Sequence, residues 1–404
     1  MKEFCSLNCS VIDSFLRALN TKSAFMKTPI TLLLLLLAPV TLAFASVAPD
    51  QSSLSGPQIW EQLFVPALHK KFAMEMPEAR MFEEWVKLKG GRIIIDHGGT
   101  RTPDPRVHAF ITRLAMAFGL KPQGQYRFPD KHLKAIDLQF EDRNGFKWFS
   151  TLVSYKGFSP KVRAAIEEDM GRTYNRLSEK GMDLLIKLEE EGQLNDREAR
   201  TLVKEVVLKF LKRQGAPLKQ KTLKMVANES PEAANALLLG PGFNHLAYSV
   251  NDLNVPEWYS LEVIELLTSM MEREGFTMMP GIQGESGGVL RQASTQAAPM
   301  IFGVEGRERE LVKIEYPGKY LEFVQRGPER DEAGEIVFDQ YDMIKLFRGF
   351  IDENAFNIYE STGRSRKAPT RSAATEAMPQ APEIDEPHQH IDAEAFIEDL
   401  DDVA

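Results

Sequence analysis

Three residues of this 404-residue chain, His97, His245 and Glu322, are of metal-holding types in settings that single them out, and the two histidines sit in repeated ones. His97 follows Ile93-Ile94-Ile95-Asp96, and His245 lies in Phe243-Asn244-His245-Leu246-Ala247-Tyr248-Ser249-Val250. Both stretches read as strands, the first over 91–97, so that His97 ends it. Glu322 lies in Lys319-Tyr320-Leu321-Glu322-Phe323-Val324. There Tyr320, Glu322 and Val324 share one face, and Leu321 and Phe323 share the other. Two histidines and one carboxylate on one face of a metal are the donor set of many oxygen-using iron sites. Imidazole nitrogen suits Fe(II), the carboxylate cancels one unit of charge, and the open positions take substrate and oxygen. Each residue alone has a plain alternative: a hydrogen-bonded structural histidine, or a glutamate on a wet strand face. Histidines at equivalent places in two repeats, with a carboxylate on a late strand, are what single out the set.

Other polar residues cluster near these in sequence. Arg101 stands four residues after His97. Its planar fork of donors suits two-point contact with a carboxylate; the alternative is a structural ion pair with Asp96 or Asp104. Gly98 and Gly99 either let the backbone pass close to a metal site or form a strand-ending bulge. Gln292 and Ser294 share a face of a strand read over 289–295, with Thr295 after them. They are placed to hydrogen-bond a bound acid or to orient a metal ligand, or they are plain strand polar residues. Ser361 is a weaker candidate of the same kind. His388 and His390 lie among acidic residues and read as a solvated tail.

The elements that must position these groups give an α+β reading. Residues 51–90 have helical spacing. The strand at 91–97 is followed by a helix at 104–120, then strands at 133–140 and 146–155 joined by the turn Asp142-Arg143-Asn144-Gly145. The order returns after residue 240: a strand at 243–250, a helix at 258–274, and short strands at 275–279, 289–295 and 319–324. An internal duplication of βαβββ type is the economical account. The organisation expected is a leader over 1–48, N-terminal helices and the first module over 49–159, and a helical insert over 160–240. The second module and a closing helix follow over 241–362, then a disordered acidic tail over 363–404. The insert reads as packing helices without chemistry of its own.

Composition bounds the partners. The net charge of −9 is that of the segment from Arg371 to the end, with one basic and ten acidic residues, so the rest is near neutral. No basic stripe with interleaved aromatics is present, which argues against nucleic acid. Residues 29–48, PITLLLLLLAPVTLAFASVA, read as a secretory signal with cleavage after Ala45 or Ala48, and Met26 is an alternative start. The expected mature protein is exported, periplasmic, and without a stable membrane span. Cys5 and Cys9 are the only cysteines and both fall in the leader, so the mature chain has no disulfide and no thiol ligand.

The stretches DHGGTRT, NHLAYSVNDL, GGVLRQASTQAA, GKYLEFVQRG and, more faintly, NIYEST resemble the 2-oxoadipate dioxygenase/decarboxylase family of the vicinal oxygen chelate superfamily. They span residues 91–362 apart from the insert. The resemblance implies two βαβββ modules forming a curved sheet around a metal site. It implies His97, His245 and Glu322 as catalytic metal ligands and Arg101 as a substrate-binding residue. It also implies an Fe(II)-dependent reaction with O2 in which 2-oxoadipate becomes 2-hydroxyglutarate and CO2, in lysine breakdown. Two readings of other classes stay open beside it. One is a metal-dependent isomerase or lyase without oxygen chemistry, and the other is an exported, non-catalytic ligand-binding protein on the same fold.

Overall fold

The protein is described as a computed structural model covering residues 53–255 and 263–351. A short strand β1 (Ser53–Ser55) leads into helix α1 (Gly56–Ile59), a π-helical turn (Trp60–Phe64), α2 (Val65–Glu75) and α3 (Pro77–Leu88). Then come β2 (Ile95–Thr102), α4 (Pro105–Ala117), β3 (Lys121–Phe128), β4 (Leu133–Gln139) and β5 (Lys147–Val153). The insert holds α5 (Pro160–Arg172), α6 (Glu179–Glu191), β6 (Gln193–Asn195), α7 (Asp196–Lys204), α8 (Gln220–Ala227) and α9 (Pro231–Leu239). The second half has β7 (Phe243–Ser249), α10 (Val263–Arg273), β8 (Leu290–Ser294), β9 (Pro299–Glu305), β10 (Leu311–Pro317) and β11 (Tyr320–Arg326). No described helix is long and apolar enough to cross a membrane.

Seven strands form one mixed, curled sheet in the order β3-β4-β5-β2-β7-β11-β8. Its centre is the antiparallel pair β2/β7, which carries the two histidines. Each of these strands has a parallel partner on its outer side, β5 beside β2 and β11 beside β7. Beyond each partner lies an antiparallel strand, β4 or β8. The two modules therefore meet about a pseudo-twofold at the β2/β7 seam, in an α+β fold of vicinal oxygen chelate type. Strands β9 and β10 form a separate two-stranded sheet, so the second module sends three strands into the large sheet and the first sends four.

Alternation along each strand separates two faces. One face turns Trp148, Leu246, Tyr248, Leu321 and Phe323 into the larger core, where Trp60, Phe64, Phe72, Phe82, Ile111 and Phe118 cover it. Trp148 lies 5.6 Å from Phe64 and 5.1 Å from Phe243, ring to ring. The other face carries His97, Arg101, His245 and Glu322. Its first-module end packs Tyr126, Phe149 and Val153 against Val162 of α5, Leu223 of α8 and Leu237 of α9. The insert thus covers both faces, since Leu185 of α6 and Leu202 of α7 belong to the larger core.

Several elements differ from the sequence reading. The strand read over 91–97 runs over Ile95–Thr102, so His97 is its third residue rather than its last. The glycines do not stop it, because both must lack side chains inside the sheet. A Cβ on Gly98 would lie 2.6 Å from the Phe243 ring, and one on Gly99 would lie 2.1 Å from Cε1 of His245. Strand β3 falls in a Pro/Gly stretch that reads as loop. At the sheet edge Pro122 needs no ladder partner on its outer side, and the register shifts between Pro122 and Gln125. Residues 275–279 make a single bridge, Met278 to Thr295, rather than a strand. The β9–β10 hairpin has no counterpart in the sequence reading. The leader over 1–48, the acidic tail over 363–404, Ser361 and the start of the helix read from Trp258 lie outside the described residues.

Replacing Trp148 by alanine empties the middle of the larger core, and we expect a loss of about 3–5 kcal/mol. Urea unfolding followed by circular dichroism would measure it; a loss under 1 kcal/mol would contradict this packing.

Candidate metal centre

The β2/β7 ladder sets the site. Gly99 pairs with His245 and His97 with Ala247, so the two histidines are offset by two positions across the seam, with the Gly98–Leu246 pair between them. In the parallel ladder beyond, Glu322 lies beside Ala247. The three side chains converge on one face. His97 Nε2 is 3.4 Å from Glu322 Oε1, and His245 Nε2 is 3.6 Å from Glu322 Oε2. The imidazoles stand at 82° with centroids 5.4 Å apart. One donor atom from each residue lies within 4.8 Å of the others, and all three residues are buried.

The residue before each histidine holds its far nitrogen. Nδ1 of His97 is 2.9 Å from Asp96 Oδ2, and Nδ1 of His245 is 3.0 Å from Asn244 Oδ1. Asp96 is ionised and only accepts, so Nδ1 of His97 donates and the neutral ring turns a lone pair on Nε2 toward Glu322. A lone pair facing a carboxylate in a buried site requires a proton or a cation between them. Two imidazole nitrogens and a carboxylate at these separations fit a divalent metal, with ligand bonds of about 2.0–2.2 Å. A hydrogen-bonded second nitrogen is the usual companion of a ligating histidine.

Electrostatics around the triad follow from burial. Burial works against charge on Asp96, yet Arg326 and Lys147 hold its carboxyl well below the usual range. The Arg326 guanidinium meets it two-pronged, Nε to Oδ1 at 2.7 Å and Nη2 to Oδ2 at 2.9 Å. Lys147 Nζ adds a longer contact to Oδ1, 3.4 Å. The two histidines are pushed apart. His97 is raised because Glu322 and Asp96 outweigh its desolvation. His245 falls to about 3, chiefly by desolvation, with the charges of His97 and Arg101 adding to it against Glu322. Glu322 is lowered against its own burial by His97 and His245, and by a hydrogen bond that Gln292 Nε2 donates to Oε1 at 2.6 Å. Without metal, a proton on His97 takes the place of the cation.

The remaining sequence candidates are placed as follows. Arg101 lies on the same strand face as His97, 2% exposed, and its charge acts on His245. Gln292 touches Glu322, and Ser294 pairs with Glu322 in the β8/β11 ladder. Thr295 does backbone work instead, accepting from Leu321 N at 3.1 Å. Sequence reasoning missed Asn244, Arg326, Lys147, Phe149 and Phe350, and took Asp96 only as a possible partner of Arg101. Phe149 is informative: in the pseudo-twofold it occupies the place that Glu322 has in module two, since it lies beside Gly99 as Glu322 lies beside Ala247. One module supplies a carboxylate there and the other an aromatic ring. The signal available in sequence was the side-chain amide or acid directly before each histidine.

The histidines set a pH optimum for the metal-free fold. His245 stays neutral when folded but protonates near 6.5 when unfolded, so stability is full above 6.5 and is lost as pH falls toward about 3. His97 has a raised value, so its contribution is full below 6.5 and is lost as pH rises through that value. Urea titrations of metal-free protein should show greatest stability near pH 6.5, with a loss toward pH 5 of up to about 1.4 kcal/mol per pH unit. Stability rising steadily from pH 6.5 to 5 would contradict the buried neutral His245.

A family model described as 2-oxoadipate dioxygenase/decarboxylase matches residues 70–362. A glyoxalase-superfamily protein of Ralstonia eutropha JMP134 is similar in structure, with TM-score 0.63 and 21% identity, covering 74% of this chain and 88% of that one. The hydroxyglutarate synthase of Oryza sativa in complex with 2-oxoadipate gives TM-score 0.56 and 19% identity over 75% and 91% of the two chains. That of Pseudomonas putida, also with 2-oxoadipate, gives 0.54 and 18% over 69% and 66%. No curated protein matches. The buried His-His-Glu cluster at the seam of the two modules and the family match over most of the chain lead to one conclusion: this protein belongs to the 2-oxoadipate dioxygenase/decarboxylase family.

Proposed function

We propose that the protein is an Fe(II)-dependent dioxygenase/decarboxylase of 2-oxo dicarboxylic acids, turning 2-oxoadipate and O2 into 2-hydroxyglutarate and CO2. The observation that carries this reading is the buried His97–His245–Glu322 cluster with Arg101 on the same face of β2. Bound iron would supply Lewis acidity and a meeting place for a 2-oxo acid and oxygen. The chain's own residues do the rest. His97 and His245 would offer Nε2, each held by its neighbour through Nδ1. Gln292 occupies one oxygen of Glu322, which favours one-point ligation by the other and leaves positions open. Arg101 would take a substrate carboxylate in its fork. Ser294, beside Glu322, and Ser361 would add hydrogen bonds to the acid.

Charge supports an anionic substrate. The charged groups that line the His97 face or bond to it are Asp96 and Glu322 against Arg101, Lys147 and Arg326. The excess is positive before any metal is added, and a divalent metal would raise it, which favours an anionic substrate in a buried site. An isomerase or lyase would use the same ligands, and oxygen consumption separates it from the dioxygenase. A non-catalytic binding protein would not need a complete triad with both histidines oriented. On the strength of the leader sequence we place the protein outside the cytoplasm, in the periplasm.

Protein reconstituted anaerobically with Fe(II) and given 2-oxoadipate should take up one O2 for each CO2 released, and His245→Ala should abolish both. CO2 release without oxygen uptake would favour the lyase reading, and neither signal would remove 2-oxoadipate as the substrate. Replacing Arg101 by methionine leaves a buried carboxylate without its partner. It should lower kcat/KM by the equivalent of about 2–5 kcal/mol while iron binding is retained. Unchanged kcat/KM would move substrate recognition away from Arg101.

A further inference from the structure

We propose that residues 347–351 form a strap that completes the metal centre without supplying a ligand, with Arg326 and Phe350 as positioning residues for His97. The inference rests on the reading of His97, His245 and Glu322 as metal ligands. It adds that the geometry of this site depends on a segment some 250 residues away in sequence from His97, an interval read off the numbering.

The contacts close a ring. His97 Nδ1 meets Asp96 at 2.9 Å, and Asp96 takes the two-pronged contact from Arg326. The Arg326 guanidinium lies over the Phe350 ring, 5.4 Å from its centroid. Phe350 in turn stands at 88° to the His97 imidazole, with centroids 4.9 Å apart. Behind it are Phe149, 5.0 Å away, and Tyr126, 6.2 Å away. The strap is fastened along its length. Arg326 Nη1 donates to the carbonyls of Phe347 and Gly349, both at 2.9 Å. Arg348 reaches over to the carbonyls of Phe140 and Arg143 at the β4–β5 turn. Phe347 and Ile351 pack on Ala247, Leu290 and Val324, beside the triad.

These contacts do different jobs. The Asp96 bond fixes one point of the His97 ring but leaves it free to rock about the line through Nδ1. An aromatic ring set perpendicular to it blocks that motion. Arg326 serves both restraints, because the same guanidinium orients Asp96 and seats the backbone just before Phe350. The module-one place equivalent to Glu322, filled by Phe149, gives the strap's ring an aromatic partner to pack on where a carboxylate would repel it.

The test uses the full chain and Co2+ alone, read by its visible absorption bands and by titration. Wild type binds Co2+ and His245→Ala does not, if the metal reading holds. Phe350→Ala should then weaken Co2+ binding about 10-fold, and Arg326→Lys between about 10- and 100-fold, as loss of ligand orientation does elsewhere. Both should shift the visible band, and Phe350→Leu should recover part of the affinity. Circular dichroism and melting of the metal-free variants check the fold, and the Phe350 variants, being half-buried, serve if Arg326→Lys does not fold. Wild-type affinity and an unchanged band in Phe350→Ala overturn the strap, even if Arg326→Lys is weak, because support would then stop at Asp96. Failure of wild type to bind Co2+ overturns the metal reading and the strap with it.

Discussion

The β2/β7 seam is the constraint on which the site depends. Antiparallel pairing brings one histidine from each module to the same face, and the offset between His97 and His245 is set by the ladder, not by the side chains. The price is a side chain: Gly99 must be bare, because the His245 ring occupies the space its Cβ would fill. Gly98 must be bare on the other face for Phe243 and Leu246. The two glycines thus serve opposite sides of one strand, one for the metal centre and one for the core.

Buried charge is the second organising theme. Asp96 is buried, so it gathers Arg326, Lys147 and the His97 ring. Removing one partner of such a cluster costs more than the cluster contributes to stability, which is why these groups specify geometry better than they hold the fold together. The covering elements also matter. Helices α5, α8 and α9 close the sheet face beyond β5, and Asn235 of α9 donates to the carbonyls of Pro317 and Gly318, both at 2.9 Å, just before β11. The insert therefore helps place the strand that carries Glu322.

Much of this was legible in the sequence, for definite reasons. The face of Glu322 followed from alternation in KYLEFVQRG, because a strand buried on both sides still keeps its period of two. The repeat of elements was visible because helix and strand periods differ. What was not legible came from contacts distant in sequence. Gly98-Gly99 read as a stop, because nothing local says that a neighbouring strand's ring needs their space. Strand β3 was hidden by Pro122 and Gly124; Gly124 N donates instead to the Asp137 side chain. Phe350 gave no signal at all, since its partners His97, Phe149 and Tyr126 come from three other strands. Asp96 and Asn244 were on the page as DH and NH, and only the fold shows that they bind the adjacent ring.

The pseudo-twofold has a consequence for how such a chain matures. Each module brings one histidine, and the three donors exist together only where the seam is in register. A slip of one residue would turn a histidine to the helix-covered face. A metal ion that needs all three donors would therefore meet them together only in a correctly paired chain. Such an ion would join the two modules, because His97 comes from one and His245 and Glu322 from the other.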